Sequence, residues 1–122
     1  MSDLVVFTHP NHDMDKYHRI LNVGIDGRLF IRDLGEINFV DKNGIETPYR
    51  LYDNITSLEV GSNVFVRLYI QNGFSGDYES FLPGDAPRTI AFTRNHSSLK
   101  MWKVPENDPR NALSLLSEIS SR

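Results

Sequence analysis

The chain contains no cysteine, so neither disulfides nor thiolate metal sites contribute to its fold. No stretch approaches the run of roughly 18 apolar residues that a membrane-crossing helix requires. Residues Met1 to Phe7 lack the basic start and long apolar core of a secretory leader. The expectation is a cytoplasmic protein with no membrane partner. Positive charge is scarce as well: 13 Lys and Arg against 16 Asp and Glu leave a net charge of -3 at pH 7, which offers no broad attraction for a phosphate backbone. Direct nucleic-acid binding is therefore not expected. Also missing are a glycine-rich phosphate loop, a serine nucleophile elbow and paired carboxylates in a recognisable setting. Catalysis thus has no positive support, and a non-enzymatic role is expected. Helical periodicity is absent before residue 105, where Pro48, Pro83 and Pro87 would in any case interrupt it.

What remains is the composition of one folded unit: 122 residues, 39% of them hydrophobic and 24% charged, enough for one core and too few for two ordinary domains. Short alternating apolar segments recur at Leu4 to Thr8, Arg28 to Arg32, Ile37 to Val40, Thr56 to Val60, Val64 to Tyr69, Thr89 to Phe92 and Leu99 to Val104. That rhythm is the signature of an all-β sandwich or barrel. Between them lie the turn pairs Asp26-Gly27, Asn43-Gly44, Asn72-Gly73 and Pro83-Gly84, in which glycine accepts a positive φ without a steric penalty. The tail differs. Asp108 suits a helix cap and Pro109 the first helical position, after which Ala112, Leu113, Leu116 and Ile119 share one face. The reading is a β-sandwich over residues 1–104 and an extension over 105–122. A short amphipathic helix in that extension packs on the same domain, to close the sandwich or to meet a partner.

Two kinds of motif then stand out. Tyr69 is followed at the fifth position by Phe74 and at the seventh by Gly76, as needed where a hairpin folds back over its sheet, two rings pack together and a Cβ would clash. Tyr52-Asp53-Asn54-Ile55-Thr56-Ser57 and Thr93-Arg94-Asn95-His96-Ser97-Ser98 form a second, paired pattern, each followed by an apolar strand. Together these resemble the folded hairpin and the paired Asn/Asp-Asn/Asp-x-x-Ser/Thr-Ser stretches of the βγ-crystallin family in its divergent, single-domain microbial form. The resemblance covers residues 51–102 well. In the first half, Phe7 matches the hairpin aromatic, but His12 and Met14 stand where an aromatic and a glycine are expected. The resemblance implies one Greek-key β-sandwich domain. Residues 16–48 exceed the family's usual length there, and Asp26-Gly27 suggests an added hairpin in the first half.

The resemblance also implies calcium sites between the two stretches, where a hard cation takes about six to eight oxygens. By position, Asp53 and Thr56 would offer side-chain oxygens, Asn54 and Asn95 carbonyls, Ser97 a hydroxyl and Ile70 the carbonyl after the hairpin aromatic. Tyr52 and Arg94 depart from the pattern. A guanidinium cannot ligate calcium, so one site is expected to be disabled and the other weak, with no cofactor required. The alternative role for Thr56, Ser57, Ser97 and Ser98 is to satisfy backbone groups at the hairpin corners.

His9, His12 and His18 stand beside Asp13 and Asp15, a segment that invites a transition-metal reading. Its spacing matches no strong metal motif, and a polar surface loop or a protein contact is the alternative. Phe30, Phe39, Phe65, Tyr69, Phe74, Phe81, Phe92 and Trp102 are read as core or hairpin packing, and Tyr49, Tyr52 and Tyr78 as surface aromatics. Three functions follow. The first is a non-catalytic βγ-crystallin-like module that binds a protein partner, in the manner of a small inhibitor or immunity-type protein. The second is a small metal-dependent enzyme using His9 to His18, and the third a structural or stress-related crystallin-like protein.

Overall fold

In the computed structural model, which describes residues 2–90 and 96–104, the alternating segments become strands of two antiparallel sheets. One sheet runs in the order β5 (Glu46–Arg50), β4 (Asn38–Val40), β2 (His18–Leu21), β1 (Leu4–Phe7) and β6 (Ser57–Val60). The other runs β3 (Arg28–Ile31), β9 (Ser98–Lys103), β7 (Val64–Gln71) and β8 (Ser75–Phe81). Side chains alternate across each strand. Leu4, Val6, Leu58 and Phe39 of the first sheet therefore meet Val64, Val66, Leu68, Leu99, Met101 and Phe81 of the second in one buried core. Each large apolar side chain buried there contributes about 1.5–3 kcal/mol relative to exposure.

The two halves exchange strands. β3 follows β2 in sequence but crosses over to pair with β9. In return, the segment after β8 crosses to the first sheet, where the N–H groups of Val60 and Leu58 donate to the carbonyls of Asp85 and Pro87, and Ile90 N–H to that of Thr56. This is the Greek-key sandwich expected from the sequence. Of these bonds the segment assigned to Thr89–Phe92 contributes the one from Ile90, and there is no regular strand at Thr89 and Ile90. Phe92, Arg94, Asn95 and the anticipated C-terminal helix, with the whole extension 105–122, lie outside the described residues.

The added hairpin is present in the first half, but at a different turn. β4 and β5 pair with each other and extend the first sheet beyond β2. Their loop is the Asn43-Gly44 turn, in which Gly44 has φ +77° and its N–H donates to Asp41. Asp26-Gly27, with Gly27 at φ +76°, instead turns the chain from one sheet to the other. A single 3-10 turn at Leu34–Glu36, capped by the Asp33 carboxylate on Gly35 N–H at 2.8 Å, connects β3 to β4. Leu34 N–H donates to Ser97 and its carbonyl accepts from Tyr52 N–H, so the turn ties the two paired stretches together.

Candidate functional site

The second hairpin, β7–β8, folds as its motif requires. The Tyr69 and Phe74 rings meet edge-on at 5.9 Å, and Gly76 adopts φ +78°, where an added Cβ would come within 2.9 Å of Ile70. The corner is pinned by the second Ser/Thr-Ser pair. Ser97 donates from its N–H to the Tyr69 carbonyl at 2.8 Å and from its hydroxyl to that of Ile70 at 3.0 Å. The Ser98 hydroxyl donates to Gln71 at 2.6 Å and accepts from Phe74 N–H at 3.1 Å.

The first hairpin repeats this arrangement with different chemistry. Thr56 N–H donates to the Phe7 carbonyl at 2.9 Å and the Ser57 hydroxyl to that of His9, matching Ser97 and Ser98 in turn. His12 takes the place of Phe74: both have positive φ, 53° and 63°, and the His12 ring lies 5.3 Å from Phe7. Its nitrogens reach outward as a phenyl ring cannot, Nδ1 to Glu59 at 3.3 Å and Nε2 to the Pro87 carbonyl at 3.1 Å.

The proposed calcium residues divide between the two corners. Asp53, at φ +66°, donates its N–H to the carbonyl of His96, the residue before Ser97, at 3.3 Å. Its Oδ1 is buried and accepts no hydrogen bond among the described residues, the state in which a carboxylate oxygen would be completed by a cation. Asn54 and Thr56 line the other corner, an open cavity of about 280 Å³ shared with Thr8, Tyr17, Tyr49 and Asp53. There the Asn54 amide is held by the carbonyls of Arg50 and Tyr52. Thr8, one residue beyond Phe7 as Ile70 is beyond Tyr69, also lines this cavity and was not singled out from the sequence. Superposing the two hairpins by their aromatics would have found it. Ligation by Asp53, Ile70 and Ser97 falls well short of about six to eight oxygens, and the Ser97 hydroxyl already serves Ile70.

His96 is fully buried, and desolvation lowers its pKa to about 4. Its Nε2 lies 3.9 Å from Glu79. The His9–His18 segment does not converge on a point. His9 Nε2 accepts from Asp13 N–H, Asp13 accepts from Asp15 N–H, and His18 Nδ1 lies 3.0 Å from the Lys16 carbonyl. Among the described residues no group of three or more His, Asp or Glu is placed to hold a metal. Burial outweighs the Asp13 charge and lowers the His9 pKa.

The aromatics read as packing also divide. Phe39 and Phe81 lie in the core, whereas Phe30 is 42% exposed and Phe65, Tyr69 and Trp102 lie on the outward face of the second sheet. Tyr49, Tyr52 and Tyr78 are exposed, as expected.

No protein-family model matches the chain, and no curated protein matches it. Solved structures do. The N-terminal domain of Protein S is 22% identical with a TM-score of 0.57, over 84% of this chain and 97% of its own. A βγ-crystallin domain of Flavobacterium johnsoniae is 18% identical with a TM-score of 0.58, over 83% and 94%. A structure concerned with the evolution of the eye-lens βγ-crystallin domain fold reaches 0.65 at 12% identity, over 85% and 88%. The chain has the βγ-crystallin fold.

Proposed function

We propose that this chain is a non-catalytic binding module that acts through a protein partner, as a small cytoplasmic inhibitor or immunity-type protein would, and that its calcium sites are degenerate. One observation carries the calcium part. The Ser97 hydroxyl and the Ile70 carbonyl, both of which a bound ion would need, are hydrogen-bonded to each other, so the corner holds its shape through its own groups. Asp53, Ile70 and Ser97 would hold an ion, which would tie the loops of the two keys together. With one carboxylate, affinity is expected no tighter than about 0.1–1 mM. Support for partner binding comes from size, from the absence of catalytic motifs, and from imidazoles already engaged within the fold.

Three measurements test this. Affinity purification from the native host should return a stoichiometric protein, and its absence would defeat the partner reading. Sub-millimolar calcium should leave the Tm of the natural chain unchanged while stabilising Arg94→Asp. Micromolar binding by isothermal titration would restore full calcium sites.

A further inference from the structure

Along the four strands of the second sheet, the residues between core positions Leu29, Val66, Leu68, Leu99 and Met101 point away from the core. Strand pairing sets them in rows: Arg28, Trp102 and Phe65; Phe30, Lys100, Arg67 and Ser80; Ser98, Tyr69 and Tyr78. Phe74 folds over from the hairpin to within 5.8 Å of Phe30. No carboxylate stands at any position of these rows, although the chain carries a net charge of -3. Lys100 and Arg67 are direct cross-strand neighbours, an arrangement that like-charge repulsion disfavours. Ring faces offset the cost. Arg67 Cζ stands 4.0 Å from the Tyr78 centroid, and Lys100 Nζ stands 4.7 Å from Phe74 and 5.0 Å from Phe30.

Arg67 is 6% exposed, and among the described residues its side chain has one hydrogen-bond partner, the Ser80 hydroxyl at 3.3 Å. Arg28 is exposed and makes no ion pair among the described residues. These groups border an open cavity of about 420 Å³, with Phe30 and Tyr78 exposed at its margins. A desolvated guanidinium with no carboxylate partner among the described residues is stabilised further when one is supplied. Trp, Tyr and Arg around a partly buried centre are also the residues that dominate protein interfaces.

We infer that this face docks a protein partner that presents carboxylates beside apolar side chains; the inference rests on the partner-binding reading and gives that reading its surface. Single-stranded nucleic acid is the competing polyanion, but its bases need open ring faces on which to stack. Here cations already lie over Tyr78, Phe30 and Phe74.

Trp102 is the only tryptophan of the chain and lies in the first row, so its emission reports on this face. Titrating the full chain with a short synthetic peptide of alternating Glu and Leu is expected to change that emission saturably. The response should weaken about tenfold in Arg28→Glu and with added salt, and be absent for the Lys–Leu counterpart. Phe30→Ala, which alters an exposed ring and no charge, should weaken it too, with circular dichroism confirming that both variants fold. No saturable change, equal binding by Arg28→Glu, or a tighter response to oligothymidylate would each overturn the inference. A stoichiometric host partner indifferent to Arg28→Glu and Phe30→Ala would remove this surface and keep the partner-binding reading. Failure to find any partner would remove both.

Discussion

His12 does two jobs that its counterpart Phe74 does not combine. Its ring packs on Phe7, and its nitrogens link the first hairpin to Glu59 of β6 and to the crossing segment at Pro87. Removing buried hydrogen-bonding groups costs on the order of 1–3 kcal/mol, so His12→Ala should lower the urea midpoint by a corresponding amount. His12→Phe keeps the ring and loses the polar links, so it should cost less. Equal losses would show that ring packing contributes nothing. Burial of His96 adds a dependence on acid. Its pKa is lowered to about 4 in the folded chain by burial, whereas in the unfolded chain it titrates near 6.5. Between these values the unfolded state binds the extra proton. The contribution is therefore fully present above pH 6.5 and declines as pH falls towards 4, by on the order of 3 kcal/mol. Urea midpoints measured across that interval should show the decline, and a flat profile would contradict it. From sequence alone His12 looked like a departure from the motif and His96 like a spacer, because what each touches is far away in the chain.

At the scale of elements, the folded hairpin depends on Gly76. Its φ of +78° and the 2.9 Å that would separate a new Cβ from Ile70 mean that Gly76→Val combines backbone strain with a clash. The cost should be on the order of 1–3 kcal/mol, read from denaturant midpoints. Gly44 has almost the same φ but nothing within 4 Å of a new Cβ, so Gly44→Val should cost less than Gly76→Val. The same pair of turns shows how far the elements were legible. Asp26-Gly27 and Asn43-Gly44 carry the same local signal and both glycines take it up. Whether a turn makes a hairpin or a crossing depends on which sheet the next strand joins, and no residue near the turn encodes that. β1, β7 and β9 were readable from their apolar segments. β8, Ser-Gly-Asp-Tyr-Glu-Ser-Phe, was not: only Phe81 among its residues is buried, so alternation fails. At the candidate site, Asp53, Ile70 and Ser97 were named from the family resemblance, whereas the cationic face was hidden, since Phe30, Lys100 and Arg67 become neighbours only once β3, β9 and β7 pair.

At the scale of the molecule, the exchange of β3 for the segment after β8 means that each sheet is completed by the other half of the chain. Neither half can detach without stripping the other of a neighbour along its sheet, so partial opening along the sequence midline is costly. Unfolding is therefore expected to be all-or-none, with the calorimetric enthalpy equal to the van't Hoff value; a shoulder in the heat-capacity curve would argue otherwise. The exchange also acts on the way in. Arg28 must find Trp102 and Ile31 must find Leu99 before the second sheet is whole, and the entropy of closing so long a loop is lost before any contact compensates for it. Refolding should then occupy the slow, millisecond-to-second range of non-local β topologies. A ribosome will have made the chain as far as β9, at Ser98–Lys103, before its third strand has anything to pair with.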